Sequence, residues 1–160
     1  MPVLVSTPSR PPPKRVANGR SVPPAPLSKP NPDAPVVLVV DDDASIRKMV
    51  ARALGAAYTV YEAVDGLSAL EILPQIAEPA VIVCDVMMPQ IDGVTLVKEL
   101  RKHPTMKGIP VIFLTAKSSP KDVVLGINAG ARHYLTKPFS VKDLLDKVAS
   151  IVKTRPAKSH

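Results

Sequence analysis

The chain has 160 residues with 21 Lys or Arg against 14 Asp or Glu, a formal net charge of +7, and this length suits one domain rather than two. Hydrophobic residues make up 46% but aromatics only 3%, with no Trp, so the core is aliphatic and an aromatic platform for stacking bases is disfavoured. A single cysteine, Cys84, excludes an internal disulfide framework and fits a reducing compartment.

Residues 1–35 hold 11 of the 19 prolines and carry Arg10, Lys14, Arg15, Arg20 and Lys29 against Asp33, a net of +4. Such a segment cannot bury enough apolar surface to offset its ordering entropy, which predicts a disordered, partly polyproline-II arm. Its Pro11-Pro12-Pro13 run could suit a partner groove, but a solubilising or linker arm is the preferred reading. At the other end, residues 153–160 carry Lys153, Arg155 and Lys158 and read as a short basic tail. Between them, residues 36–152 hold 13 basic and 13 acidic side chains. The predicted globular part is therefore neutral, and no basic nucleic-acid face is implied on it. The longest strongly apolar run, Val36 to Val40, is far too short to span a bilayer, and no signal-peptide h-region follows Met1. A soluble cytoplasmic protein without a membrane span is expected.

From Val36 onward short aliphatic runs alternate with helix-period segments. Val36 to Val40, Val81 to Cys84 and Val111 to Leu114 read as strands buried on both faces of a parallel sheet, with weaker strands at Tyr58 to Glu62 and His133 to Thr136. Helix faces are predicted from Ile46, Met49, Val50, Ala53 and Leu54; from Leu67, Leu70 and Leu73; from Val94, Val97 and Leu100; from Val123, Val124 and Ile127; and from Val141, Leu144, Leu145, Val148, Ile151 and Val152. Pro74 falls where the second helix would continue and predicts a short or kinked one. Five strands alternating with five helices give a doubly wound α/β fold, and right-handed crossovers favour the flavodoxin-like five-stranded parallel sheet of order 2-1-3-4-5. Ligands of such folds bind beyond the carboxyl ends of the strands.

At those ends stand Asp41-Asp42-Asp43, Asp85, Thr115-Ala116 and Lys137-Pro138. Asp43 is placed to cap the following helix. Each of the others has a bland explanation alone: Asp85 as a loop starter, Thr115 as a strand end, Lys137-Pro138 as a turn. Their convergence on one edge is the signal. Carboxylates of Asp41, Asp42 and Asp85 crowded together raise one another's pKa unless a cation sits among them, and hard oxygen ligands suit Mg²⁺. Three aspartates stand where a dinucleotide-binding enzyme needs Gly-x-Gly-x-x-Gly, which makes a nucleotide-dependent enzyme unlikely on charge grounds.

The residues Val39-Val40-Asp41-Asp42-Asp43, Cys84-Asp85-Val86-Met87-Met88-Pro89, Asp92-Gly93, Leu114-Thr115-Ala116-Lys117, Gly130-Ala131 and Tyr134-Leu135-Thr136-Lys137-Pro138-Phe139 resemble the response-regulator receiver domain of two-component signalling, the CheY-like module. The resemblance covers Val36 to Val152. It implies that Asp85 accepts a phosphoryl group from a histidine kinase or phosphotransfer protein. It also implies that Asp42 and Asp85 ligate Mg²⁺ directly with the Met87 carbonyl, and Asp41 through water. Lys137, the Thr115 hydroxyl and the Ala116 N–H are implied to bind phosphoryl oxygens, and the Lys137-Pro138 bond to be cis. Tyr134 is the implied switch residue, with the downstream protein target at the face of the fourth helix, fifth strand and fifth helix. Met87 and Lys117 depart from fast chemotaxis-type members, which implies a longer-lived phosphoryl-aspartate; Gln90 departs without clear consequence. The chain ends soon after the fifth predicted helix, so a stand-alone receiver with protein-contact output and no DNA-binding domain is expected, acting as a phospho-acceptor and not as a turnover enzyme. The competing reading is a docking adaptor working through the Pro-rich basic arm, with nonspecific nucleic-acid contact by the two basic ends as a third.

Overall fold

The computed structural model describes residues 16–17, 20–21, 33–88, 91–116 and 133–154. Five strands, β1 (Val36–Val40), β2 (Thr59–Ala63), β3 (Val81–Asp85), β4 (Val111–Ala116) and β5 (His133–Lys137), form one sheet of order β2-β1-β3-β4-β5. Every pairing in it is parallel, the order expected from the sequence. The helices are α1 (Ala44–Leu54), α2 (Gly66–Ile72), α3 (Gly93–Arg101) and α4 (Val141–Thr154). The predicted fourth helix around Val123, Val124 and Ile127 lies outside the described residues, so α4 is the fifth helix of the sequence reading. A separate two-residue antiparallel ladder joins Val16–Ala17 to Arg20–Ser21 within the Pro-rich arm. The rest of that arm up to residue 32 lies outside the described residues.

The aliphatic runs are continuous because both faces of the sheet are covered. On β1, Val37 and Val39 pack with Val50, Leu54, Leu144 and Val148 from α1 and α4. Leu38 and Val40, pointing the other way, pack with Ala69 of α2 and Leu96, Val97 and Leu100 of α3. Burial of side chains of this size contributes about 1.5–3 kcal/mol each, and among the described residues Phe113 is the largest fully buried side chain. Among the described residues no helix is long and apolar enough to cross a membrane.

Several helix faces differ from the periodicity. Leu67 is exposed, and α2 buries Gly66 and Ala69 instead. A Cβ on Gly66 would stand 2.7 Å from the Ile91 carbonyl and side chain, so the helix approaches too closely for a large residue to fill the gap. Met49 and Val141 are also exposed, whereas Ala51 and Leu96 are buried. Pro74 acts as expected: α2 stops at Ile72 and the chain tightens into a 3₁₀ turn over Leu73–Gln75. Strand β2 is shifted by one residue from the expected Tyr58 to Glu62, β5 reaches Lys137, and α4 runs on through Lys153 and Thr154.

Candidate functional site

Strand β1 ends at Val40, opposite Cys84, so Asp41, just after β1, and Asp85, the last residue of β3, emerge side by side. The Asp41 N–H extends the ladder by donating to the Ala63 carbonyl at 3.2 Å. Its side chain is fully buried, and Oδ1 accepts from the Asp43 N–H at 2.9 Å. Asp43 caps α1 as predicted, accepting from the N–H groups of Ser45 and Ile46. Asp42, between them, is exposed. Carboxylate oxygens of Asp41, Asp42 and Asp85 all lie within 4.8 Å of one another.

Strands β4 and β5 complete the edge. Leu114 is the register partner of Asp85, which puts the buried Thr115 one step beyond it, opposite Thr136; Ala116 faces Lys137. Lys137 Nζ stands 3.5 Å from Asp85 Oδ1 and 3.9 Å from Asp41 Oδ2. The Lys137-Pro138 peptide is cis. Met87 donates its N–H to Asp85 Oδ1 at a long 3.4 Å while its side chain is 67% exposed. Thus the strand ends gather Asp41, Asp42, Asp85, Thr115, Ala116 and Lys137 at one edge, and Met87 follows in the loop after β3.

The electrostatics are unfavourable as they stand. Burial pushes the Asp41 carboxyl up from 3.8 to about 6, with Asp85 and Asp42 adding to the rise and the Asp43 N–H and Lys137 opposing it. Asp85 is raised as well, by burial first, against the pull of Lys137. Asp41 Oδ2 is buried with no hydrogen-bond partner, and 3.9 Å is an ion-pair distance rather than a hydrogen bond. An orphaned buried oxygen among three crowded carboxylates is what a hard divalent cation relieves, so this donor set fits Mg²⁺.

Sequence reasoning missed one pair here. Arg47 Nε donates to Glu62 Oε1 at 2.6 Å and its Nη1 donates to the Asp41 carbonyl at 2.8 Å. The signal was a glutamate inside a strand otherwise apolar on that face, which needs a cation from the helix above it.

The response regulator receiver domain model matches residues 37–149. The chain belongs to the response regulator receiver family. Among curated relatives, it is 38% identical over 120 residues to the DNA-binding dual master transcriptional regulator RpaA of Synechocystis, covering 74% of this chain and 49% of that protein. It is 40% identical over 118 residues to response regulator MprA of Mycobacterium ulcerans, covering 73% and 50%. The receiver chain therefore spans about half the length of these relatives. Among solved structures, the chemotaxis protein CheY4 of Vibrio cholerae superposes with a TM-score of 0.69 at 38% identity, covering 74% of this chain and 98% of CheY4. The signal receiver domain of a histidine kinase from Syntrophus aciditrophicus gives 0.71 at 30% identity, covering 79% and 97%. The same receiver fold thus serves chemotaxis proteins and kinases alike.

Proposed function

We propose that this receiver accepts a phosphoryl group on Asp85 from a phosphohistidine of a histidine kinase or phosphotransfer protein, in a Mg²⁺-dependent transfer, and passes the change to a protein-contact surface. The observation that carries this reading is the placement of Lys137 Nζ 3.5 Å from the buried Asp85 carboxylate, beside the buried Asp41. Asp42, Asp85 and the Met87 carbonyl would ligate the metal directly, and Asp41 through water. Bound Mg²⁺ supplies charge neutralisation on the phosphoryl oxygens and in-line alignment.

The chain's own groups do the rest. An Asp85 oxygen attacks phosphorus; the O–P bond forms as the N–P bond of the donor breaks, and the imidazole leaves with the electron pair and takes up a proton. Lys137 balances the charge that accumulates on the phosphoryl oxygens, and the Thr115 hydroxyl and Ala116 N–H bind others. Drawing Thr115 toward the phosphoryl group frees space for Tyr134, whose ring lies 5.9 Å from that of Phe113, its register partner on β4. The output face then comprises β5 and α4 around Tyr134; its third member, the predicted fourth helix, lies outside the described residues.

The test is intact mass after incubation with a small-molecule phosphodonor and Mg²⁺. One phosphoryl group is expected on the wild type and none on Asp85→Ala; equal modification of both would sink the assignment. A second expectation concerns lifetime. The exposed Met87 side chain offers no hydrogen bond to an attacking water, so phosphate release should be slower than in fast chemotaxis-type receivers. Decay within seconds would contradict this.

A further inference from the structure

Resting on the phosphoryl-acceptor reading above, we infer that Arg47 and Glu62 are positioning residues of the acidic site. The guanidinium of Arg47 bridges two groups, with Nε on Glu62 Oε1 at 2.6 Å and Nη1 on the Asp41 carbonyl at 2.8 Å. Both side chains are nearly buried, at 12% and 11% exposure. Glu62 shares its face of β2 with Val60, two residues before it, and Val60 belongs to the apolar cluster under α1 and α4. A carboxylate on that face is costly unless paired. Lys48 touches Glu62 Oε2 from the exposed side at 3.3 Å, which leaves Arg47 as the buried partner.

The bridged carbonyl belongs to the peptide that joins Asp41 to Asp42. Rotation of that peptide swings the two carboxylates relative to Asp85. Asp41 is held on its other sides by its own N–H on the Ala63 carbonyl and by the Asp43 N–H on its Oδ1. Besides the Lys137 ion pair at 3.9 Å, Arg47 restrains the Asp41 carbonyl and, through Glu62, ties it to the neighbouring strand. The pair thereby helps keep the carboxylate oxygens of two strand ends within 4.8 Å of one another, close enough to share one hard cation. Planar bidentate donation is what an arginine can offer here and a lysine cannot.

The pair is separable from stability because a buried ion pair replaced as a whole by apolar groups is often neutral, whereas removal of one partner strands a buried charge. The informative variant is therefore Arg47→Met with Glu62→Met, made in the full chain. Calorimetric titration with Mg²⁺ should give affinity about 10-fold or more below wild type, with cooperative melting retained. Phosphorylation by a small-molecule donor should be slow at low Mg²⁺ and recover at saturating Mg²⁺, a shift in apparent KM for the metal with little change in the maximal rate. If the double variant does not melt cooperatively, Arg47→Lys carries the same test, since it keeps the charge but cannot bridge both oxygens. Wild-type affinity for Mg²⁺ in a folded variant overturns the inference alone. A wild-type protein that neither binds Mg²⁺ nor takes up phosphoryl overturns the phosphoryl-acceptor reading, and this inference with it.

Discussion

Asp41→Asn should stabilise the metal-free protein at pH 8 while reducing the further gain that Mg²⁺ brings. The folded-state pKa of Asp41 is about 6 against an ordinary 3.8, so the folded chain holds this proton more tightly than the unfolded one. Its contribution to stability is full below pH 3.8 and is lost as pH rises through about 6. At about 1.4 kcal/mol per unit, the loss is on the order of 2–3 kcal/mol at pH 8. Asparagine keeps the acceptor for the Asp43 N–H and carries no charge, so the variant escapes that loss. In the wild type, Mg²⁺ should restore the stability from the other direction, by compensating the carboxylates it binds. Thermal melts at pH 5 and pH 8, with chelator and with Mg²⁺, check both parts. Equal melting of variant and wild type at pH 8 without metal would count against the electrostatic account of the site.

Gly93→Val should be among the most damaging substitutions on the site side of the sheet. A Cβ at Gly93 would stand 2.6 Å from the Asp85 carbonyl oxygen, 3.0 Å from Val86 Cα and 3.1 Å from the Phe113 ring. Two of these are backbone atoms, which cannot retreat without displacing the end of β3. Overpacking of this kind costs about 1–3 kcal/mol and occasionally more, with valine above alanine because its branch points into the same space. The Gly93 N–H also donates to the Val86 carbonyl at 2.9 Å, so the helix start and the strand end move together. Both Tm and the rate of phosphoryl uptake should fall. Gly108→Ala is the control: nothing lies within 4 Å of a Cβ there, and its stability should change by less than about 0.5 kcal/mol. Parity between Gly93→Ala and Gly108→Ala in denaturant melts would refute the steric argument.

The sheet was readable because its strands are runs of β-branched and aliphatic residues that only a doubly covered parallel sheet explains. The site was readable because Asp41, Asp85, Thr115 and Lys137 each follow or end such a run, and strand ends of one sheet must lie together. Other features left no trace of that kind. Of the three leucines at helical spacing in the second helix segment, Leu70 and Leu73 pack into the core as the spacing indicates, whereas Leu67 lies in solvent beside the close approach of Gly66 to Ile91. Nothing in the sequence separates Arg47 from Lys48 beside it, and only the three-dimensional contact with Glu62 shows that Arg47 is nearly buried. Gly93 enters the sequence reading only through the Asp92-Gly93 pair of the family resemblance, whereas in the structure its part is the absence of an atom beside the Asp85 carbonyl.

The ammonium of the site comes from β5 and its carboxylates from β1 and β3. During synthesis the ribosome delivers these parts in order, so a nascent chain complete through β4 already holds Asp41 and Asp85 but not the cation that stands between them. Until β5 has been made and has found β4, the edge is acidic and lacks Lys137. On the role proposed for Lys137, a chain becomes competent for phosphoryl uptake only once the sheet has closed.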